Sequence, residues 1–145
     1  MRFWDTSAVV PLLADEPSSE AVLREFERDP HVIAWWGTEV ECVSAVTRRE
    51  RDGALDAQSM VVALDRLDRM SLVWTEVEPG QRVRQVAFRL LRVHPLRAAD
   101  ALQLAAAIVA SEDQPASLQF VTLDDRLALA AEREGFTVVR PELAA

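Results

Sequence analysis

Short apolar runs alternate along the chain with longer stretches whose apolar positions recur at helical spacing. The runs Arg2 to Trp4, Val32 to Trp36, Leu72 to Val77, Leu118 to Thr122 and Thr137 to Arg140 read as strands. Between them the pattern predicts helices over Thr6 to Ala14, Glu20 to Arg28, Thr38 to Arg51, Asp56 to Met70, Pro79 to Val93, Arg97 to Ala110 and Asp124 to Glu134. Met60, Val61, Leu64 and Leu67, for example, follow helical periodicity. The punctuation agrees with these boundaries. Pro17-Ser18-Ser19-Glu20 supplies capping chemistry for the second helix, and Asp29-Pro30 stops it. Asp52-Gly53 ends the third helix, His94-Pro95 precedes the Ala-rich one, and Gly135 caps the last. Pro11 falls in the first turns of its helix, where the ring is tolerated. Strands alternating with helices predict a three-layer α/β/α sandwich around a short, mainly parallel sheet. With no repeat, linker or low-complexity tract, residues 1–145 read as a single domain.

Composition narrows the functional classes. Half of the residues are hydrophobic, enough for a substantial core, yet no apolar run approaches the length of a bilayer span. The start of the chain reaches Asp5 directly from a short apolar strand, without a signal-peptide pattern, so a cytoplasmic protein is expected. Cys42 is the single cysteine; it excludes an internal disulfide and reads as a buried thiol. The net charge of −8 argues against a protein that coats nucleic acid, although not against an enzyme that meets phosphates through a metal. Every basic residue is Arg. The lack of Lys removes P-loop phosphate binding and Schiff-base chemistry.

Asp5, Glu41, Asp100 and Asp124 stand apart from the other acids by their apolar flanks or by lying where a strand gives way to a helix. In a parallel sheet the carboxyl ends of strands and the amino ends of the following helices share one edge, and sites form where strand order reverses. All four acids belong to that edge. Each has an ordinary alternative: Asp124 as a helix N-cap, Asp100 as an acid complementing a helix dipole, Glu41 beside Glu39 on a solvated face. Asp5, directly after a buried strand, is the hardest to explain that way. Helix dipoles offset only about 0.3–1 kcal/mol per carboxylate, so four converging acids call for a hard divalent cation.

Four segments carry a family resemblance: Phe3-Trp-Asp-Thr-Ser-Ala-Val-Val, Glu41-Cys-Val-Ser-Ala-Val-Thr-Arg-Arg, Leu96-Arg-Ala-Ala-Asp-Ala-Leu-Gln-Leu-Ala and Phe120-Val-Thr-Leu-Asp-Asp-Arg-Leu. In order and spacing they resemble the signature segments of PIN domains, most closely the VapC-type toxins of bacterial toxin–antitoxin pairs. The resemblance spans nearly the whole chain. It implies a Mg²⁺- or Mn²⁺-dependent endoribonuclease with Asp5, Glu41, Asp100 and Asp124 around the metal, an RNA substrate and a cognate antitoxin protein. Thr122, and with it Thr6 or Ser7, matches positions where the family places a hydroxyl near the metal. Gln103 stands where many relatives have His, and Asp125 matches a variable position. Oxygen ligands of this kind select Mg²⁺ or Mn²⁺ and leave coordination sites for water and phosphate. A non-catalytic PIN-like module that binds protein or RNA is the alternative. A haloacid-dehalogenase-type site ranks below both, because the second Asp it needs is Ser7 here.

Arg48, Arg49, Arg51, Arg82, Arg84, Arg89, Arg92 and Arg97 read either as phosphate contacts or as solvated helical faces, with the faces favoured. His31 and His94 are too separated in sequence to suggest a metal pair, and Trp4, Trp35 and Trp36 read as core. Val9, Val10, Leu12, Leu13, Val22, Leu23 and Phe26 exceed what one sheet face needs, which predicts a homodimer surface or a groove for a partner peptide.

Overall fold

The computed structural model describes residues 1–142. Strands β1 (Arg2–Trp4), β2 (Val32–Trp35), β3 (Thr75–Val77), β4 (Gln119–Val121) and β5 (Thr137–Val139) form one sheet in the order β3-β2-β1-β4-β5. Every neighbouring pair is parallel. The strands are short because each needs only enough residues to reach both faces. Phe3 and Phe120 point to one side, stacked with ring centroids 5.3 Å apart, while Trp4 and Val121 point to the other.

Two apolar layers follow from that alternation. Helices α5 (Gln81–Val93), α6 (Ala98–Ala110) and α7 (Asp125–Arg133) close over Phe3, Ile33, Trp35 and Phe120. Helices α1 (Thr6–Leu13), α2 (Ser19–Arg28), α3 (Thr38–Arg51) and α4 (Ala57–Val73) cover Trp4, Val32, Ala34 and Val121. Burying each such large side chain contributes roughly 1.5–3 kcal/mol. The result is the expected α/β/α sandwich. Among the described residues, no helix is long and apolar enough to cross a membrane.

Some sequence expectations need correction. The strand expected from Leu72 is shorter: α4 continues to Val73, and the Trp74 N–H still bonds the Met70 carbonyl at 2.9 Å. Leu72 and Val73 are 85 % and 81 % exposed, so their strand-like composition reflects a helix end at the surface. Helix α5 begins at Gln81, after Gly80, and not at Pro79. The apolar surplus on the first helices is mostly core: Val9, Val10, Leu13 and Val22 are buried, and Leu23 alone of that group is exposed. Trp35 is buried as expected, but Trp36 is half exposed, and Val61 faces solvent despite its helical spacing.

Candidate active site

The strand order reverses at β1, which has β2 on one side and β4 on the other. A crevice at the carboxyl ends of β1 and β4 follows from this reversal. Asp5 leaves β1 there; its N–H bonds the Val121 carbonyl at 3.2 Å, and its side chain caps α1 through the Ser7 N–H at 3.3 Å. The Ser7 hydroxyl donates to Asp5 Oδ1 at 2.8 Å and lies 3.3 Å from the Thr122 hydroxyl. Ser7 Oγ also accepts the Leu123 N–H at 2.9 Å, which ties the end of β4 to the start of α1. Thr122 is fully buried and accepts the Asp124 N–H at 3.0 Å. Asp124 caps α7 by accepting the Leu127 N–H at 2.8 Å. Asp5 and Asp124 therefore do cap helices, and capping is what fixes them at this edge.

Glu41 and Asp100 arrive from opposite faces of the sheet, each in a first helical turn. Gln103, one turn after Asp100, donates from Nε2 toward Glu41 Oε2 at 3.2 Å, Thr6 Oγ1 at 3.0 Å and Thr38 Oγ1 at 3.0 Å.

Electrostatics join the four acids into a chain. Burial pushes the Asp5 carboxyl up to about 7, against the hydrogen bonds of Ser7 and Thr122, and the Asp124 charge adds to the rise. Asp100 is raised by burial and then by Asp124, with Arg97 and Arg126 opposing. Glu41 is raised by burial and by Asp100, while hydrogen bonds from Gln103 and Thr6 oppose. Asp124 thus bears on Asp5 and Asp100, and Asp100 bears on Glu41.

The donor set suits a hard cation: four carboxylates and the Ser7, Thr122 and Thr6 hydroxyls are all oxygen ligands. The spacing suits it less, because among the described residues no three His, Cys, Asp or Glu side chains are grouped closely enough to hold an ion as they stand. Binding of an ion would therefore require the carboxylates to close inward, against their mutual repulsion.

The sequence matches the PIN domain family over residues 2–133. The chain belongs to the PIN domain family. None of the curated proteins compared with it matches. Solved PIN-like structures share its fold. FitAcB from Neisseria gonorrhoeae superimposes with a TM-score of 0.68 at 19 % identity, covering 97 % of this chain and 98 % of the other. VapC20 from Mycobacterium tuberculosis, described as a sarcin-ricin loop cleaving toxin, gives 0.69 at 20 % identity, covering 97 % and 100 %. A toxin–antitoxin complex from Klebsiella pneumoniae gives 0.68 at 16 % identity, covering 99 % and 100 %.

Other residues of this PIN domain divide between the site and the surface. Asp125 turns outward to pair with Arg140. Arg82 pairs with Asp113, Arg49 with Glu16 and Arg89 with Glu134, so these arginines act as structural partners. His31 lies by Thr75 and His94 by Glu134, apart from each other's contacts. Cys42 is buried, with its thiol pushed up to about 12 by burial, which makes it inert. Sequence reasoning passed over Thr38 and Arg126. Thr38 follows Gly37 at the start of α3, and Arg126 lies two residues after Asp124; those adjacencies were the available signals.

Proposed function

We propose that this PIN domain is a Mg²⁺- or Mn²⁺-dependent endoribonuclease, the toxin of a toxin–antitoxin pair. The observation that carries the reading is the placement of four carboxylates along one edge of the sheet, Asp5 and Asp124 at the strand reversal and Glu41 and Asp100 in the first turns of α3 and α6. Structural acids rarely need such company; shared repulsion at one crevice is how a fold stores affinity for a divalent ion. Asp5, Glu41, Asp100 and Asp124 would hold the ion, with Ser7, Thr122 and Thr6 as auxiliary hydroxyls. A divalent ion at this position supplies Lewis acidity toward the phosphate and the attacking water.

The protein's own groups do the rest. Ser7 orients Asp5, the cap on α7 orients Asp124, and Gln103 orients Glu41. A carboxylate left partly free accepts the proton of the attacking water. We assign Arg97 and Arg126, the cations that oppose the rise at Asp100, to the phosphodiester's negative charge.

The fold shared with a protein described as a sarcin-ricin loop cleaving toxin and with a toxin–antitoxin complex supports RNA as substrate and an antitoxin as partner. The net charge of −8 suits an antitoxin segment carrying Arg. The cytoplasm, where such RNA lies, is the compartment this reading implies. A second reading, a non-catalytic PIN-like binding module, draws on the open spacing of the acids.

The deciding experiment purifies the wild type, Asp5→Asn and Asp100→Asn, verifies their folding by circular dichroism, and measures RNA cleavage with Mn²⁺. Loss of cleavage by about 100-fold or more in both variants is expected, since each removes an oxygen ligand. Cleavage retained in both rejects the quartet. A folded wild type that neither cleaves nor binds Mn²⁺ favours the module.

A further inference from the structure

Gln103 is 1 % exposed and sits in a run of α6 that is otherwise apolar, between Leu102 and Leu104. An amide buried among alanines and leucines is costly unless its hydrogen bonds are met. Its Nε2 has two hydrogens and three oxygens within reach: Thr6 Oγ1, Thr38 Oγ1 and Glu41 Oε2. The other end, Oε1, is buried with no partner.

Exchanging the two ends of the amide does not relieve this. It would set Oε1 against Glu41 Oε2, two acceptors facing each other, whereas the hydroxyls can either donate or accept. Glu41 therefore fixes which end is which, and the unpartnered Oε1 is the consequence. A stability argument would place Leu or Met here. The amide makes sense as a support for Glu41, which reaches this edge from α3 across the sheet from Asp100.

We propose that Gln103 is a positioning residue: its amide N–H holds the Glu41 carboxylate at the acidic edge for metal binding. The proposal rests on the quartet reading above. Outer groups that orient a ligand typically change metal affinity by about 10–100-fold when removed.

The test is titration calorimetry with Mn²⁺ on the full chain, paired with thermal melting in chelator. Gln103→Met keeps the length and removes the donor; Gln103→His keeps a ring N–H donor of comparable reach. The expected result is about tenfold weaker Mn²⁺ binding for Gln103→Met, with a melting temperature lowered by the unpaired Thr38 hydroxyl but a cooperative transition retained, and near-wild-type affinity for Gln103→His. Wild-type affinity in Gln103→Met overturns the proposal while leaving the quartet standing. Equal loss in the Met and His variants assigns the effect to packing, and overturns it too. If Gln103→Met fails to fold, Gln103→Leu takes its place, and collapse of both assigns Gln103 to the core. A folded wild type that binds no Mn²⁺ overturns the quartet itself, and this inference with it.

Discussion

The Asp5 carboxyl is 4 % exposed and lies between Ser7, Thr122 and the charge of Asp124. Its proton is held to about pH 7, against 3.8 in an unfolded chain. Between those values the native state binds one proton more than the unfolded state, so stability falls as pH rises from about 4 to about 7 and levels off above. At ~1.4 kcal/mol per unit, the ionised Asp5 costs the metal-free protein up to roughly 4 kcal/mol at pH 8. Asp5→Asn should therefore be more stable than wild type in chelator at pH 8 and differ little at pH 4. Glu41 and Asp100 are raised in the same direction and leave a smaller slope in the variant. Urea denaturation at both pH values checks this, and an unchanged pH slope would refute it. The position of Asp5 was legible in the sequence because it directly follows a buried strand, whereas its role as the N-cap of α1 was not. Nor was the role of Gln103. A Gln in an Ala-rich helix carries no sign of which face it occupies, and only the approach of Thr6, Thr38 and Glu41 in space reveals it.

Between elements, a second polar tie lies away from the acids. His94 caps the end of α5 and is buried; its Nε2 meets Glu134 Oε2 at 2.7 Å, just past α7. Arg89 reaches the same carboxylate with bonds of 2.8 and 3.3 Å. Burial alone would raise Glu134, yet the bonds to Arg89 and His94 outweigh it and hold the carboxyl below its ordinary range. Glu134→Ala leaves the buried imidazole without its partner and should cost about 1–3 kcal/mol. Arg89→Ala removes a half-exposed partner and should cost under ~1 kcal/mol. Chemical denaturation at pH 7 compares the two, and equal effects would show that the buried contact is not what matters. Neither residue could be paired from sequence, because contacts across forty positions leave no local pattern. Element boundaries show the same limit: Leu72-Val73 reads as strand by composition, but the helix ladder of α4 runs through it to Trp74. Caps and strand alternation, which are local, predicted the layers and the shared edge correctly.

At the scale of the molecule, the net charge of −8 and the exposed apolar residues have to be reconciled with the acidic edge that carries the four carboxylates. Val40 is 68 % exposed and Val43 41 %, on the outer side of the same helix that carries Glu41. With Glu39, Ser44, Thr47 and Arg51 they line an open depression of about 430 Å³. Like charge resists self-association over the Debye length of about 8 Å at physiological salt, but an apolar helix face with an acid and an arginine at its ends can pair with a copy of itself. We expect a homodimer through α3, which would set two acidic crevices on one particle. Sedimentation velocity should then return a species near twice 16.2 kDa. Val40→Glu puts a carboxylate into the apolar part of that face on each copy, and the cost of burying it should shift the particle to monomer. Raising salt should tighten the wild-type dimer by screening the net charge, since the contact itself is apolar. A wild type that sediments as a monomer at all salt concentrations, or a Val40→Glu variant that stays dimeric, removes α3 as the interface and leaves the exposed Phe88 and Leu91 face of α5 as the next to test.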